Sequence, residues 1–416
     1  MNPGHSFAPL PDNKIRHMVM QAAVMAAQAL TDVEQEPEGR LRTLMDAHGK
    51  VLAARGPGSP LSFAEFRTRL RGDLAALLPE GVAPDELDGI HLITQDGEFD
   101  DDAYDVEQEL RTVLRALRAT TRDGRSPNSA ALEAEMDQDR FFTALTKSGR
   151  QDDYEHGRSS VIRTPAGSDT ELRRLNLPAS IAEFYQPVAF AAVFDRWWFP
   201  CPICRWPMKV TVRGGAPSKG RKTGDVRCFH RPHAIAGARY HFRVPSEGMP
   251  PVLVPLPAPS RPIGVDGVLF NDVTGQIPEA RPTGGHRALT RGVWRWTAVP
   301  GVAELAFYDA LAVRGLLPQL WPGLDAYDIE VSVRDADGLR HDFLIDVKDY
   351  TSGPLLAKKL QADGGDKGGA EWLAVPDYRA QSVPLLAGVC RELGMTASTL
   401  GELGSRICRT AGVPWE

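Results

Sequence analysis

Three of the five cysteines in this 416-residue chain fall within 28 positions, and this cluster constrains the fold more than any other feature of the sequence. The segments CPIC (201–204) and CFHRPH (228–233) form two ligand-bearing arms separated by 23 residues. Two soft or borderline ligands from each arm suit tetrahedral Zn²⁺. The predicted ligands are Cys201, Cys204, Cys228 and His233. His230 stays an alternative, but the later histidine lets the chain turn back with less strain.

The charge around the cysteines indicates a structural metal and a basic surface. From Cys201 to Arg243 the chain has ten Lys or Arg residues and one acid, which leaves a net charge of +9. A segment this charged could hardly build its own core without a metal, and four protein ligands leave no open position for chemistry. We therefore predict a zinc-ribbon-like module over residues 190–245, the alternative being cysteines that are simply buried. Basic side chains would contact nucleic-acid phosphates, unless they form only a solvated face. These side chains are Arg213, Lys219, Arg221, Lys222, Arg227 and Arg231.

The rest of the composition is that of a globular protein of two or three domains. Apolar residues make up 42 % of the chain and charged residues 25 %. The longest uncharged stretch with helical spacing, His17 to Thr31, has 15 residues and is too short to span a bilayer. The N-terminus lacks the basic start and apolar middle of a secretory signal. We expect a cytoplasmic protein without membrane contact, in which Cys390 and Cys408 are inert buried thiols.

Residues 1–185 have the apolar spacing of a helical domain. Ser62 and Glu65 form a capping box at the start of one helix. Predicted helices cover about residues 62–78, 106–117, 130–147 and 180–197. Ten acids and no base lie between residues 86 and 109. A solvated loop leading into a helix explains this acidic run more simply than a metal loop or a DNA-mimicking patch.

Two segments are predicted to connect domains. Residues 151–178 are polar and contain Gly and Pro residues, which favours a surface loop. Seven prolines between residues 245 and 262 favour stiff, extended backbone, so we predict a linker over residues 246–288. Residues 289–416 then alternate strand and helix signals, as in a compact α/β domain. The predicted fold class is a multidomain α+β protein.

The segment HDFLIDVKDY (341–350) carries the strongest sign of chemistry. Residues i and i+2 of a strand share a face, so Asp346 and Lys348 project together while the residues beside them point into the core. Upstream, LDAYDIEVSVRD (324–335) alternates in the same way, with Asp328 at its entry, and a DGLR turn joins the two strands. Asp328 and Asp346 are therefore predicted to lie on adjacent strands.

A preceding helix, predicted from Val302 to about Leu316, carries Glu304 in its first turn. Three acids and a lysine on one helix and two strands suit phosphodiester hydrolysis. Asp328 and Asp346 would bind Mg²⁺ or Mn²⁺, with Glu304 adding a ligand directly or through water. Lys348 would orient the attacking water and offset charge in the transition state. The simpler alternative is a surface ion pair, with Glu304 present only because glutamate is favoured in first helical turns.

The order of these elements resembles the PD-(D/E)xK restriction-endonuclease-like superfamily. More narrowly, VWRWTAVPGVAELAFYDAL and LIDVKDY, with the CPICRWPM ribbon upstream, are similar to the nuclease encoded beside prokaryotic PIWI-RE proteins, which are Argonaute-like. The resemblance covers about residues 190–416. Tyr327 replaces the proline that usually precedes the first acid, which leaves Asp325 as an alternative to Asp328. Asp12-Asn13-Lys14 is a second D-x-K triplet, but it lies in a polar lead-in to a helix.

The resemblance implies a PD-(D/E)xK nuclease-like domain over residues 289–416 that cuts DNA in defence against foreign DNA. It also implies a PIWI-RE protein and a DinG-like helicase as partners. Cutting both strands with one site per chain usually requires two chains, which favours a homodimer. The alternative function is a catalytically inactive, nuclease-fold subunit that binds DNA or recruits partners. The N-terminal helices could act as an adaptor in either case.

Overall fold

The structure, a computed structural model, describes two compact units that combine helix and sheet, which confirms the predicted class at this level. The first unit contains residues 1–122 and 350–359, and the second contains residues 123–349 and 360–416. The described residues are 11–31, 36–93, most of 97–112, 129–212, 223–256 except 247, and 277–415 except 366 and 367. The four-part division predicted from the sequence stays a prediction.

The first unit is built mainly from helices. They begin with α1 (Asp12–Thr31), α2 (Pro37–Arg55) and α3 (Phe63–Arg69). Small side chains such as Ala23 and Ala47 let α1 and α2 pack in one apolar cluster. The capping box of Ser62 and Glu65 is confirmed, but α3 is shorter than predicted. Asp73 accepts a hydrogen bond from the backbone N–H of Ala75 at 2.8 Å and so starts a separate 3₁₀ turn.

Part of the acidic run between residues 86 and 109 is buried. Among the described residues, the buried acids are Asp100, Asp105 and Glu109, so the expectation that these acids are solvated is wrong. Glu109 accepts hydrogen bonds from the backbone N–H groups of Thr351 at 2.6 Å and Ser352 at 2.9 Å. These N–H groups precede a helix that begins at Gly353, where a carboxylate satisfies unpaired donors. Glu109 therefore has a structural role.

The second unit contains the remaining helices and four sheets with strand orders β1-β9-β2, β3-β8, β4-β5-β6-β7 and β10-β11-β12-β13-β14. Its helices are α4 (Ser129–Thr146), α5 (Gln151–Arg163), α6 (Asp169–Arg174), α7 (Ala179–Ala182), α8 (Arg231–Ile235), α9 (Arg291–Val293), α10 (Val299–Val313), α11 (Gly353–Ala362, shared with the first unit), α12 (Val383–Glu392) and α13 (Leu400–Ala411). Its strands are β1 (Ala166–Ser168), β2 (Tyr185–Pro187), β3 (Trp197–Trp198), β4 (Lys209–Val212), β5 (Thr223–Arg227), β6 (Arg239–Arg243), β7 (Val252–Pro255), β8 (Arg281–Pro282), β9 (His286–Leu289), β10 (Gln319–Leu320), β11 (Ile329–Arg334), β12 (Arg340–Val347), β13 (Trp372–Val375) and β14 (Thr396–Thr399). Within the described residues, no helix is both long enough and apolar enough to cross a membrane.

Two predicted elements at the start of the second unit are wrong. The predicted loop over residues 151–178 contains α5, because Tyr154, Gly157 and Val161 give this polar segment one buried face. The predicted helix over residues 180–197 contains α7, β2 and part of β3 instead. β2 pairs with β9, a strand about a hundred residues away, and local spacing cannot reveal such pairing.

The sheet β4-β5-β6-β7 forms the ribbon module. Its core includes Tyr240 and Phe242, and the Phe242 ring lies 4.6 Å from that of Phe194. This charged segment does not form its core alone, because preceding residues such as Phe194 complete it. β7 lies within the predicted linker and pairs with β6 as an edge strand, a position that tolerates proline. Residues 257–276 of that linker lie outside the described residues.

The five-stranded sheet contains the two strands that position the predicted catalytic residues Asp328, Asp346 and Lys348. β11 and β12 are antiparallel, whereas β12-β13 and β13-β14 are parallel. The predicted alternation of β11 is confirmed, since Ile329 and Val331 are fully buried. Burying each such side chain contributes about 2 kcal/mol. Phe307 of α10 and Leu403 of α13 pack in the same cluster, so helices cover this face of the sheet.

α5 and α10 approach each other closely at Gly301. A Cβ atom at this glycine would lie 2.3 Å from Ile162 Cδ1, so a side chain there would push the helices apart. Arg158 lies one turn before Ile162, and Glu304 lies about one turn after Gly301. The close approach therefore places Arg158 beside Glu304.

Candidate active site and metal centre

Asp328, Asp346 and Lys348 meet where β11 and β12 lie side by side. The antiparallel pairing of these strands puts Asp328 opposite the end of β12. There, its carboxylate accepts a hydrogen bond from the backbone N–H of Val347 at 2.6 Å. The Lys348 ammonium lies 2.6 Å from Asp346 Oδ1 and 3.6 Å from Asp328 Oδ2. The structure thus brings together three of the residues predicted to carry out chemistry.

Glu304 joins these residues from α10, but not from a first helical turn as predicted. The helical backbone runs on from Arg291 through a π-helical segment (Trp294–Ala298) into α10. A helix N-terminus therefore does not explain why a glutamate lies here. Glu304 Oε2 accepts hydrogen bonds from Trp321 Nε1 at 2.6 Å and Arg158 Nη2 at 2.8 Å. Burial raises the pKa of Glu304 to about 8, although Arg158 opposes this effect.

Arg158, which the sequence analysis did not identify, connects the acids. Its Nη2 atom lies 2.8 Å from Glu304 and 3.4 Å from Asp328. Its Nη1 atom pairs with Asp325 and donates a hydrogen bond to the Tyr154 hydroxyl at 2.9 Å. Burial lowers the pKa of Arg158, but the Asp325 and Glu304 carboxylates outweigh it and raise the pKa well above its usual value. The guanidinium is therefore a fixed positive charge in the site.

The turn before β11 separates the two candidate acids. Gln151 of α5 holds this turn by donating from Nε2 to Trp321 O at 2.8 Å and accepting at Oε1 from Leu324 N–H at 3.0 Å. Asp325, with a left-handed φ of 77°, pairs with the α5 arginine. Asp328, by contrast, reaches the end of β12. In this arrangement Asp328 is the acid that adjoins the lysine.

The charges and the orientation of the carboxylates fit a divalent cation. Asp346 Oδ2 is buried and has no hydrogen-bond partner among the described residues. Burial raises the pKa of Asp328, although Lys348 opposes this effect. Burial lowers the pKa of Lys348, but the Asp346 and Asp328 carboxylates outweigh this effect and raise the pKa above its usual value. The ammonium therefore stays charged. The Lys348 side chain is 29 % exposed, whereas that of Asp346 is 7 % exposed, so solvent reaches the cluster at the lysine.

A comparison with known families supports a function for this region. Residues 301–415 match a family described as "REase associating with pPIWI_RE". The match supports a restriction-endonuclease-like domain. It includes the four predicted catalytic residues but neither Arg158 nor the predicted zinc ligands, and it is shorter than the resemblance over residues 190–416. No curated protein and no solved structure matches the chain.

Upstream of the restriction-endonuclease-like domain, the predicted zinc ligands form one buried cluster. One ligand atom from each of four residues lies within 4.8 Å of the others, and the residues are Cys201, Cys204, Cys228 and His233. Cys228 Sγ is 3.5 Å from His233 Nδ1 and 3.8 Å from Cys204 Sγ. Burial raises the pKa of the Cys201 and Cys228 thiols. Burial opposes ionisation of Cys204 too, but hydrogen bonds with Cys201 and Cys228 outweigh it and lower the pKa of that thiol. This donor set could hold a structural metal such as zinc.

His230 lies beside the cluster but faces the restriction-endonuclease-like domain. Its Nε2 atom is 3.4 Å from Asp349 Oδ2, only three residues after Asp346. Asp349 accepts hydrogen bonds from Arg379 Nε at 2.9 Å and the Tyr378 hydroxyl at 2.8 Å. The Asp349 side chain is fully buried. The Arg379 guanidinium and the Tyr378 hydroxyl, with the Arg295 guanidinium 4.0 Å away, explain why a carboxylate can be buried here.

The remaining polar residues considered in the sequence have structural partners or lie outside the described residues. The Glu330 carboxylate accepts a hydrogen bond from the Tyr327 hydroxyl at 2.8 Å. Lys358, considered as a contact to the DNA backbone, lies 3.4 Å from Asp85. Four of the basic ribbon residues are not among those described: Arg213, Lys219, Arg221 and Lys222. Their predicted contact with phosphates stays a prediction.

Proposed function

We propose that the restriction-endonuclease-like domain is a Mg²⁺-dependent DNA endonuclease of the PD-(D/E)xK type. The observation that carries this proposal is the meeting of Asp328, Asp346 and Lys348 on adjacent strands, where one buried carboxylate oxygen has no hydrogen-bond partner within the described part of the chain. An ordinary surface ion pair would be solvated and would leave no such oxygen. The family match over residues 301–415 supports the same reaction class.

The chemistry follows from the positions of the side chains. Asp328 and Asp346 would hold Mg²⁺ or Mn²⁺, since hard oxygen ligands suit these ions. The bound cation supplies Lewis-acid stabilisation of charge on the scissile phosphate. Lys348 lies on the solvent-accessible side, where its ammonium can orient the attacking water and offset charge in the transition state. Glu304 would act through Arg158 rather than touch the phosphate.

The biological role is proposed from the family description. Because the matched family is described as associating with pPIWI_RE, we propose that this chain works with a PIWI-RE, Argonaute-like protein. We also propose that the chain acts with a DinG-like helicase in defence against foreign DNA. A homodimer would allow it to cut both strands. The cysteine cluster would hold structural Zn²⁺ and present the ribbon to DNA.

The test is cleavage of single-stranded, double-stranded and branched DNA by the zinc-loaded full chain in Mg²⁺ and in Mn²⁺. Asp346→Asn and Lys348→Gln remove one charge each at nearly constant volume. We expect each to lower the single-turnover rate by about 100-fold or more, equivalent to about 2.7 kcal/mol of transition-state stabilisation. Lys14→Gln, in the second D-x-K triplet, is the matched control and should cut like the wild type.

Two results would contradict the proposal. If Asp346→Asn and Lys348→Gln cut as fast as the wild type, the activity belongs to another site. If the wild type cuts no DNA form, alone or with its PIWI-RE and helicase partners, the chain is a DNA-binding or adaptor subunit. Thermal unfolding of each variant separates loss of chemistry from loss of fold.

A further inference from the structure

The Arg158 side chain is held in one position within the acidic cluster by ion pairs with three carboxylates. Its side chain is 8 % exposed, and its guanidinium lies 4.6 Å from the centre of the Trp321 ring. The two ends of the guanidinium have different partners, since Nη2 faces Glu304 and Asp328 while Nη1 faces Asp325. A buried arginine with three carboxylates and an aromatic face is not a mobile surface group.

The number of charges limits how many cations the cluster can take. With all six groups ionised, four carboxylates and two basic side chains leave a formal charge of −2, which one divalent cation neutralises. Burial raises the pKa of Glu304 to about 8, and a protonated Glu304 would leave only −1, which disfavours a second cation further. A second divalent cation would leave an excess positive charge in a buried site, which is unfavourable. The six groups are Glu304, Asp325, Asp328, Asp346, Arg158 and Lys348.

The hydrogen bonds indicate where the cation would bind. Both oxygens of Glu304 accept from Arg158 Nη2, at 3.0 and 2.8 Å. Asp346 Oδ2, by contrast, has no hydrogen-bond partner among the described residues, although Oδ1 is taken by Lys348 at 2.6 Å. A cation is therefore favoured at Asp346 and disfavoured at Glu304.

We propose that Arg158 takes the place of a second cation, so that the site binds one divalent ion, at Asp346 and Asp328, without Glu304 as a direct ligand. This inference rests on the proposed function, which requires a cation in the same cluster. Arg158 would then determine the metal stoichiometry of the site and position Glu304 and Asp325.

The test counts Mn²⁺ bound to the zinc-loaded full chain by the electron paramagnetic resonance signal of free Mn²⁺. The wild type should bind one Mn²⁺. Arg158→Met should bind two, with an exchange-coupled spectrum because ions sharing Asp328 would lie about 4 Å apart. Arg158→Lys keeps the charge and should bind one. Arg163→Met, on the exposed end of α5, is the matched control and should also bind one.

A second variant keeps the proposal testable if Arg158→Met does not fold. Glu304→Gln should still bind one Mn²⁺, with an apparent Kd raised by about 10–100-fold at most, the effect of a group beside the ligands rather than of a ligand. Two ions on the wild type, one ion on a folded Arg158→Met, or loss of binding by Glu304→Gln would overturn the inference. If the wild type binds no Mn²⁺, the proposed cation site itself is wrong. The three outcomes above all involve a wild type that binds Mn²⁺, so the two kinds of failure can be told apart.

Discussion

At the scale of single residues, two histidines three positions apart have different surroundings. His233 Nδ1 lies 3.5 Å from a cysteine sulfur, whereas His230 Nε2 lies 3.4 Å from a carboxylate. Both histidines are buried. From sequence alone, His233 was favoured as the zinc ligand only because its distance from Cys228 lets the chain turn back with less strain. Their neighbours in the fold suggest that one binds metal and that the other joins the ribbon to Asp349.

We predict that His233→Ala loses its zinc and that His230→Ala keeps it. Loss of one of four ligands opens the tetrahedral site, while loss of His230 removes only a neighbour. Elemental analysis and release of zinc to a colorimetric chelator measure both effects. Cys390→Ser, which removes a buried thiol far along the chain, should keep its zinc. Retention of zinc by His233→Ala would contradict this ligand assignment.

The residue that the sequence reasoning missed is Arg158. The only signal for it was a weak one: Tyr154, Arg158 and Val161 share a helical face in a segment otherwise rich in polar residues. From sequence alone, an arginine on such a face is expected to be solvated, because burying its charge without partners is unfavourable. Its partners come from residues 304, 325 and 328, more than 140 positions away. Sequence spacing within α5 holds no information about them.

At the scale of elements, the contact between α5 and α10 positions the site. This contact requires a glycine at position 301, since a Cβ atom there would meet both Ile162 Cδ1 at 2.3 Å and Ile162 Cγ1 at 2.6 Å. A shift of either helix would move Arg158 relative to Glu304. The stability of this contact and the geometry of the acids are therefore linked.

We predict that Gly301→Ala lowers the free energy of unfolding by about 1–3 kcal/mol, because it overpacks this contact. Gly388→Ala is the matched control: no atom lies within 4 Å of the added methyl group. It should raise the free energy of unfolding by about 0.5–1 kcal/mol, because alanine favours helix. Urea unfolding measures both. An Ile162→Ala background should reduce the Gly301→Ala effect, and an unchanged effect would count against the contact.

Elements with a clear period were predictable, and elements that depend on distant partners were not. β11 alternates buried residues with more exposed ones, as does β12 between Asp342 and Ile345. The two strands and the meeting of Asp328 with Asp346 therefore followed from a period of two. The apolar run that contains β2 has no such period. Its strand exists because β9 supplies a hydrogen-bonding partner from residues 286–289.

At the scale of the whole molecule, the matched range of residues 301–415 is shorter than the structure that completes the site. α5 supplies Arg158, and it also supplies Gln151, which holds the turn before β11. A truncation that keeps the matched range but removes α5 would leave three close carboxylates without their arginine.

We predict that a fragment of residues 186–416 does not fold cooperatively. Leaving buried charges unpaired costs about 3–5 kcal/mol, a large part of the 5–15 kcal/mol typical of a folded protein. Loss of the buried Tyr154 and Ile162 side chains adds to this cost. Near-ultraviolet circular dichroism and thermal unfolding, compared with the full chain, measure the effect. A fragment that unfolds as cooperatively as the full chain would show that α5 is dispensable.

The most direct test of the central claim is anomalous diffraction from crystals of the full chain soaked in Mn²⁺. The account predicts a manganese peak about 2.2 Å from carboxylate oxygens of Asp346 and Asp328, with Lys348 beside it. Asp346→Asn crystals soaked in the same way should lack the peak. A wild-type crystal with no manganese at these two aspartates, under conditions in which the protein cuts DNA, would contradict the account.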